Sequence, residues 1–393
     1  MELKDLQAHW NQWGKTDPFW AILSDPAKRD GKWDTAAFFR TGEEWMRGVM
    51  GYVQSLGVPL GRGRALDFGC GAGRLTQAMC QYFEQCAGVD IAPSMISLAE
   101  RFNKFGGRCR YHLNNASDLR LFGNDTFDFV YSIIVLQHME PQYSGKYIEE
   151  FVRVLKPGGL CVFQLPGEVY PAGAGARAEA GAARPPAENG AAAGPLRNGG
   201  FKSEVRLHNL PPAVPPDAPP MAPGHQALLE ARVKNLGDAV WPARGADGDG
   251  GQYRVVLAAR WLDAAGRSVV AEDGMTVLPH DVRPGEEVRL PLLVTAPNLA
   301  GRYVLEADMV QEDVARFGEK GAAAARSHVD VAAQAPGRGE NGAPASEPVI
   351  QMYGTTRRAV IDRVRRCGGR VVDVREDRLA GDWWLSYSYC VTK

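Results

Sequence analysis

Apolar and polar positions along this chain follow two different periods, and the period changes twice. From residue 33 to 165, short apolar runs alternate with stretches whose apolar positions lie three and four residues apart, a pattern typical of buried strands alternating with helices. Residues 201–332 instead contain seven short strand patterns separated by Gly and Pro turns. These strands are predicted at 205–208, 227–234, 253–262, 275–278, 287–294, 302–310 and 328–331. The pattern therefore predicts an α/β domain that is interrupted by an all-β domain.

Composition places the predicted domain boundaries. Two segments, 171–200 and 333–348, consist almost wholly of Ala, Gly, Pro and polar residues, which predicts flexible linkers. After the second linker, a helix is predicted at 355–366 and strands at 370–374 and 383–391. The predicted order is a first α/β part at 1–170, a linker at 171–200, a β-sandwich at 201–332, a linker at 333–348 and a second α/β part at 349–393. The sandwich contains no cysteine, so its core closes by packing alone.

A glycine-rich segment after the first apolar run carries the strongest chemical signal. The run 66–68 predicts a strand, and Gly69, Gly71 and Gly73 follow it at alternate positions. Glycine lacks a Cβ, so the backbone can pass close to a ligand and adopt positive φ. A helix is predicted to begin near Arg74, so the segment favours a nucleotide-like ligand in the crevice. A dinucleotide fingerprint has its third glycine where this chain has Arg74, which disfavours a nicotinamide cofactor and an oxidoreductase.

An acidic residue follows at the spacing that the glycine loop predicts. The short apolar run 86–90 ends in Asp90, about twenty residues after the loop, where a second parallel strand presents a carboxylate to ribose hydroxyls. Pro93 suits the first turn of the next helix. The apolar stripe of that helix includes Met95. Two signals at a fixed spacing are more specific than a glycine loop alone.

These segments resemble the class I S-adenosylmethionine-dependent methyltransferases of types 11 and 25. Four further segments carry the same resemblance, at 115–119, 127–132, 136–138 and 153–159. The resemblance covers residues 33–165 and 351–393. It implies a doubly wound, Rossmann-like, seven-stranded sheet and S-adenosyl-L-methionine as cofactor. The turns at 235–237, 241–242, 284–285 and 301–303 resemble those of immunoglobulin-like modules that are appended to bacterial enzymes, which implies an immunoglobulin-like sandwich inserted after the fifth strand.

The resemblance also implies which residues contact the cofactor. Asp67 is expected to reach the amino group of the methionyl part, and Asp90 the ribose hydroxyls. Asn115 stands where many relatives carry an aspartate for the adenine amino group, so this chain has an uncharged acceptor there. The full expected set is Asp67, Gly69, Cys70, Gly71, Gly73, Arg74, Asp90, Ile91, Met95, Asn115, Ala116 and Ser132. For Met95, a core position is an equally good interpretation.

Methyl transfer from a sulfonium needs alignment, exclusion of water and, for a hydroxyl acceptor, removal of a proton. His138 is the candidate general base because imidazole titrates near neutral pH. The alternative interpretation is a structural imidazole bonded to backbone, and Glu140 is a second candidate base. Near the amino terminus, Trp33 and residues 38–42 resemble the aromatic helical lid of the family, within a predicted lid at 1–45.

Charge and cysteine usage bound the remaining possibilities. A formal net charge of -1 over 393 residues gives no electrostatic drive towards nucleic acid, and the arginine-rich segment 357–366 is interpreted as a solvated helix face. Seven scattered cysteines without a C-x-x-C pair predict reduced thiols, a cytoplasmic location and no metal site. The first residues do not form a signal-peptide pattern, and no membrane span is predicted. The richness in Ala, Gly, Pro and Arg is typical of a GC-rich bacterial genome.

The sequence therefore predicts a methyltransferase that acts on an oxygen of a small molecule or a glycan precursor, with nitrogen as the second candidate for the accepting atom. The glycan rests on the resemblance, since relatives with such inserts often accompany glycan-building enzymes. The alternative is a non-catalytic scaffold whose sandwich binds a glycan or a protein partner. The glycines at 69, 71 and 73 together with Asp90 argue against it, because a scaffold needs no cofactor site.

Overall fold

The computed structural model describes residues 3–169, 194–208, 221–245, 252–297, 299–332, 352–381 and 384–393. The chain divides into two compact units. The first comprises Met1–Pro166, Glu347–Ala380 and Ser386–Lys393, and the second comprises Gly167–Ser346 and Gly381–Leu385. Within the described residues, none of the helices combines the length and the apolar character that a membrane span requires.

Helices and strands alternate in the first unit, whereas strands dominate the second. The helices are α1 (Leu3–Thr16), α2 (Pro18–Ile22), α3 (Thr35–Ser55), α4 (Arg74–Met79), α5 (Pro93–Arg101), α6 (Pro141–Val154) and α7 (Arg357–Arg366). The strands are β1 (Arg64–Phe68), β2 (Gln85–Asp90), β3 (Cys109–Leu113), β4 (Phe127–Ser132), β5 (Leu155–Val169), β6 (Ser203–His208), β7 (Gln226–Asn235), β8 (Val255–Asp263), β9 (Ser268–Val277), β10 (Glu287–Thr295), β11 (Gly301–Gln311), β12 (Ala315–Arg316), β13 (Ala325–Val331), β14 (Arg370–Asp377) and β15 (Trp384–Thr392).

The sheet of the first unit has the strand order β3-β2-β1-β4-β5-β15-β14. The pairs from β3 to β5 are parallel, and β14 pairs with β15 in the antiparallel direction. Thr392, at the end of β15, donates a hydrogen bond to the Gly159 carbonyl near the start of β5 at 2.9 Å, so these two neighbours also run in opposite directions. The predicted α/β fold with a largely parallel sheet is confirmed.

Helices cover both faces of this sheet. On one face, Met46 and Met50 of α3 share a core with Leu75 of α4 and with Phe129 of β4. On the other face, Phe68 at the end of β1 meets the tilted ring of Tyr147 and, edge to face, the ring of Phe151, both from α6. Helix α7 packs against α6, where Arg363 lies over Gly145 and pairs with Glu149 at 2.5 Å. The strand ends that form the crevice are therefore fixed by packing from two sides.

The last strand has buried side chains on both faces. Residues such as Leu385 and Tyr387 alternate along 383–391 and share one apolar face. Ser386 and Cys390, which point the other way, are also 0% exposed. The physical reason is that helices cover both faces of this part of the sheet. Cys390 shares a core with Met46 of α3, and on the opposite face Tyr389 stacks on Phe163, whose ring meets Phe151 of α6.

The second unit consists of two antiparallel sheets with a common hydrophobic core. One sheet has the order β10-β7-β6, and the other contains β9, β8 and β11 with β13 and β12 along the far edge of β11. Trp241 and Trp261, both 0% exposed, are the largest side chains of the core. All seven predicted strands are present, β9 begins earlier than predicted, and the two-residue strand β12 was not predicted.

The end of the first predicted linker belongs to the second unit. The Leu196 amide donates to the Gln311 side chain at 2.8 Å, and the Trp241 indole donates to the Gly200 carbonyl at 2.9 Å. Residues 194–200 therefore have a fixed place, because they satisfy buried polar groups of the core, and the prediction of a flexible linker is wrong for them. The rest of this linker, 171–193, and the second predicted linker, 333–348, lie outside the described residues.

Candidate functional site

The glycine loop lies at the carboxyl end of β1 in a conformation that only glycine adopts readily. The φ angles of Gly69, Gly71 and Gly73 are +79°, +51° and +82°. A Cβ on Gly71 would lie 2.7 Å from the side chain of Ile22 in α2. A Cβ on Gly73 would overlap the Tyr111 hydroxyl in the same way. The loop is thus a closely covered cradle, and its glycines are required by both backbone and space.

Asp90 ties the glycine loop to the next helix. One carboxylate oxygen accepts a hydrogen bond from the Gly71 amide at 2.8 Å, and the other accepts one from the Ala92 amide at 2.8 Å. Burial raises the pKa of Asp90, while these two backbone bonds lower it. Each carboxylate oxygen retains a further acceptor position, so Asp90 can receive two more hydrogen bonds from a ligand.

Asp67, at the end of β1, is buried beside a positive charge. Its carboxylate accepts a hydrogen bond from the Thr76 hydroxyl at 2.6 Å. Burial raises the pKa of Asp67 to about 6, against the opposing effects of the Thr76 bond and the Arg74 charge. The Arg74 guanidinium is itself buried, which lowers its pKa, and it donates to the Thr41 hydroxyl at 3.3 Å. Thr76 was not identified from the sequence, because a helical threonine carries no distinctive signal.

The loop after β3 places Asn114, rather than Asn115, among buried groups. The side-chain NH₂ group of Asn114 donates to the Asp118 backbone carbonyl at 2.8 Å, and its side-chain oxygen accepts from the Ala116 backbone amide at 3.4 Å. Asn115 and Ala116 are exposed. The buried asparagine therefore shapes the loop, whereas the side chain of Asn115 is directed to the surface in this structure.

Cys70 and Met95 are packed into the interior. Met95 is 1% exposed and shares a cluster with Trp13 and Ala92, in line with the core interpretation. Burial raises the pKa of the Cys70 thiol well above its usual range, and the side chain lies against Gly88. The side chain of Ile91 is half-buried, and its carbonyl accepts a hydrogen bond from the Gln7 side chain at 2.9 Å.

The segment after β4 contains Ser132 and His138. Ser132 is fully buried, and among the described residues its hydroxyl has no hydrogen-bond partner. His138 lies in a short 3₁₀ turn, where its ring meets the edge of Trp10 at a centroid distance of 5.4 Å. The His138 amide donates to the Val135 carbonyl at 3.0 Å. Glu140, the second candidate base, is also buried.

The amino-terminal helices cover the cradle. In α1, the Asn11 side chain accepts from the Ser94 amide at 3.0 Å, and the Ser94 hydroxyl donates to the Asn11 carbonyl at 2.9 Å. The predicted lid aromatics Phe38 and Phe39 of α3 pack against Ala72 of the glycine loop. Asn11 was not identified from the sequence, since no local pattern marks a polar side chain that binds the start of a distant helix, here α5. No group of three or more metal-ligating side chains occurs among the described residues.

Known proteins resemble the part of the chain that carries this site. A family model described as a methyltransferase domain matches residues 66–163. The ubiquinone biosynthesis O-methyltransferase of Xanthomonas axonopodis pv. citri is 30% identical over 109 residues, which cover 28% of this chain and 44% of that protein. The protein of the same name from Cereibacter sphaeroides is 29% identical over 99 residues, which cover 25% of this chain and 39% of that protein.

A solved structure, a S-adenosylmethionine-dependent methyltransferase from Clostridium acetobutylicum, aligns with 95% of this chain and 97% of its own at 11% identity and a TM-score of 0.39. The chain spans 39% and 44% of the length of the two curated relatives. The family match shows that residues 66–163 form a methyltransferase domain, an enzyme domain whose cofactor is S-adenosylmethionine.

Proposed function

We propose that the whole chain is an S-adenosylmethionine-dependent methyltransferase that methylates an oxygen of a small molecule or a glycan precursor, with nitrogen as the second candidate for the accepting atom. The observation that carries this proposal is the Asp90 carboxylate, which bonds the Gly71 and Ala92 amides and keeps an acceptor position on each oxygen. A pair of adjacent ribose hydroxyls suits these two positions. When bound, the cofactor supplies a methyl group that is already activated on a sulfonium.

The residues around the glycine loop fit the rest of this cofactor. Asp67 is ionised above a pH of about 6 and then offers a negative charge to the methionyl ammonium. The glycines of the loop allow its positive φ angles and the close approach of the side chains that cover it, because a Cβ there would overlap those side chains. Ser132 offers a buried hydroxyl that has no partner among the described residues. The adenine contacts proposed for Ile91, Met95, Asn115 and Ala116 rest on the family resemblance.

The chain's own contribution to the reaction is alignment, exclusion of water and removal of a proton. The helices α1 and α2 cover the cradle, which keeps water from the donor. We assign the general base to His138, because it follows β4 on the turn that begins at Val135. A hydroxyl acceptor loses its proton to this imidazole as the bond between the acceptor oxygen and the transferred methyl carbon forms.

The acceptor class is inferred from the relatives and from the second unit. Both curated relatives are named as O-methyltransferases, which favours oxygen as the accepting atom. We assign the two-sheet unit to the immunoglobulin-like modules and give it the role of holding a glycan precursor or a protein partner. For location we propose the cytoplasm, supported by seven free cysteines, which a reducing compartment maintains.

The alternative is a scaffold that binds ligands without turnover, and one experiment separates it from an enzyme. The purified chain is incubated with methyl-labelled S-adenosylmethionine and a panel comprising a catechol, a phenol, a methyl glycoside and an aliphatic amine. The proposal expects transfer to the hydroxyl compounds and a loss of about a hundredfold in His138→Asn. The exposed His328 supplies the matched control, His328→Asn, which should retain activity. Cofactor binding without transfer to any compound would favour the scaffold.

A further inference from the structure

A single residue between β4 and His138 has a backbone conformation that its side chain disfavours. Ile134 has a φ of +56°, in the left-handed region. A β-branched side chain is rarely found there, because its Cβ crowds the backbone. Such a conformation persists only where surrounding contacts hold it, and it is concentrated at functional sites.

The contact that holds Ile134 comes from β5. The Ile134 amide donates a hydrogen bond to the side-chain oxygen of Gln164 at 3.2 Å. Gln164 is 1% exposed. Because the Ile134 amide is a donor, the Gln164 atom facing it must be the carbonyl oxygen, and the other end of the side chain must be the NH₂ group. That NH₂ group is buried and has no hydrogen-bond partner among the described residues.

The left-handed turn at Ile134 determines where the next residue lies. The Val135 side chain lies directly over Gly69, where any Cβ on the glycine would overlap it. The Val135 carbonyl accepts the hydrogen bond of the His138 amide at 3.0 Å. The turn at Ile134 therefore positions the Val135 side chain over the glycine loop and also positions the start of the segment that carries His138.

We propose that Gln164 is a positioning residue for methyl transfer: its carbonyl holds the left-handed turn at Ile134, and this turn places Val135 over the cofactor cradle. The inference rests on the proposed function, since it assigns Gln164 a role in cofactor binding. An unpaired buried NH₂ group costs free energy that an apolar side chain would avoid, so the carbonyl that accepts the bond of the Ile134 amide must be worth more than that cost.

The test is calorimetric titration of the full chain and its variants with S-adenosylhomocysteine. Gln164→Met removes the acceptor for the Ile134 amide, so the turn relaxes and we expect affinity to fall about tenfold. Gln164→Glu, measured at pH 8, restores an acceptor oxygen and should bind within about threefold of the wild type. Thermal unfolding of each variant establishes that it is folded.

The decisive comparison uses two second-site changes in the Gln164→Met background. Ile134→Gly should restore affinity to within about threefold of the wild type, since glycine adopts positive φ without a steric cost. Ile134→Val is the matched control and should restore nothing, because valine keeps the branched Cβ. Should Gln164→Met alone fail to fold, the proposal expects the Ile134→Gly double variant to fold and bind.

Three results would overturn the inference. The first is a folded Gln164→Met variant with wild-type affinity, the second is equal rescue by Gly and Val, and the third is a Gly double variant that neither folds nor binds. A wild-type chain that does not bind S-adenosylhomocysteine would contradict the proposed function itself. Failure of the inference about Gln164 is therefore distinguishable from failure of the proposed function.

Discussion

The Gly71 amide donates a hydrogen bond to the Asp90 carboxylate at 2.8 Å. This bond joins the end of β2 to the loop that follows β1, so the position of the carboxylate and the shape of the loop depend on each other. The loop is further covered by Ile22 from α2 and by Tyr111 from β3. The cradle is thus a tertiary structure built by several elements, and changes in any of them should alter cofactor binding.

A side chain on the glycine loop should abolish this cradle. Gly71→Ala places a Cβ 2.7 Å from Ile22 in a residue whose φ is +51°, so we expect S-adenosylhomocysteine affinity to fall at least about tenfold. Gly48→Ala is the control, because Gly48 lies within α3 with no atom within 4 Å of an added Cβ. That control should raise the free energy of unfolding by about 0.5 to 1 kcal/mol and leave affinity unchanged. Equal affinity in both variants would contradict the role of the loop.

Cofactor affinity should depend on pH through Asp67. The pKa of Asp67 is raised to about 6 by burial, so its charge is lost as the pH falls through 6. The methionyl ammonium then loses its counter-charge, and S-adenosylhomocysteine affinity should fall about tenfold between pH 7.5 and pH 5. Asp67→Asn should bind weakly and with little change over this range. A wild-type affinity that is constant from pH 7.5 to 5 would exclude an ionised Asp67 as the ammonium contact.

The contact between α1 and α5 should govern how long the cofactor stays bound. Gly14 lies directly against Ser94, so Gly14→Ala should push α1 off the start of α5. We expect S-adenosylhomocysteine to dissociate about tenfold faster in stopped-flow measurements, with the sheet intact. Gly51→Ala in α3, where an added Cβ meets no atom within 4 Å, supplies the matched control. An unchanged dissociation rate in Gly14→Ala would mean that α1 does not retain the bound cofactor.

The second unit should become less stable as the pH rises towards neutrality. Burial raises the pKa of Asp273 to about 7 from an ordinary value of 3.8. The folded state then binds a proton that the unfolded state has already released, so stability is greatest below pH 3.8 and falls as the pH rises to 7. Asp273→Asn keeps an acceptor for Trp261 and the Thr295 amide. The Asp273→Asn variant should lose the part of the decline in thermal unfolding midpoint between pH 5 and 8 that Asp273 causes. A decline of equal size in the wild type and the variant would contradict this role of Asp273.

The parts of the fold that local pattern determines could be predicted. The strand, the glycine loop and the helix start within 66–76 occur where the sequence predicts them, because an apolar run, positive-φ positions and a helix start are local features. The seven predicted strands of the second unit follow the same rule, whereas the two-residue strand β12 does not. The burial of Ser386 and Cys390 could not be predicted, since it depends on elements distant in the sequence, such as α3, whose Met46 shares a core with Cys390.

The candidate site was predictable only where a residue's type limits its conformation. Gly71 and Asp90 could be found because glycine and a strand-end carboxylate have few alternative roles at that spacing. Gln164 and Ile134 could not, because an isoleucine with positive φ contradicts its own propensity and is held by a residue thirty positions away. Such a conformation is imposed by tertiary contacts, which no local pattern contains.

The most direct test of the account is calorimetric titration of the full chain with S-adenosylhomocysteine, beside Asp90→Ala and the control Asp362→Ala, whose side chain is half-exposed on α7. Nicotinamide adenine dinucleotide serves as the competing ligand. The account predicts micromolar binding by the wild type and by Asp362→Ala, a loss of at least about a hundredfold in Asp90→Ala, and no response to the dinucleotide. Binding that is unchanged in Asp90→Ala, or absent from the wild type, would contradict it.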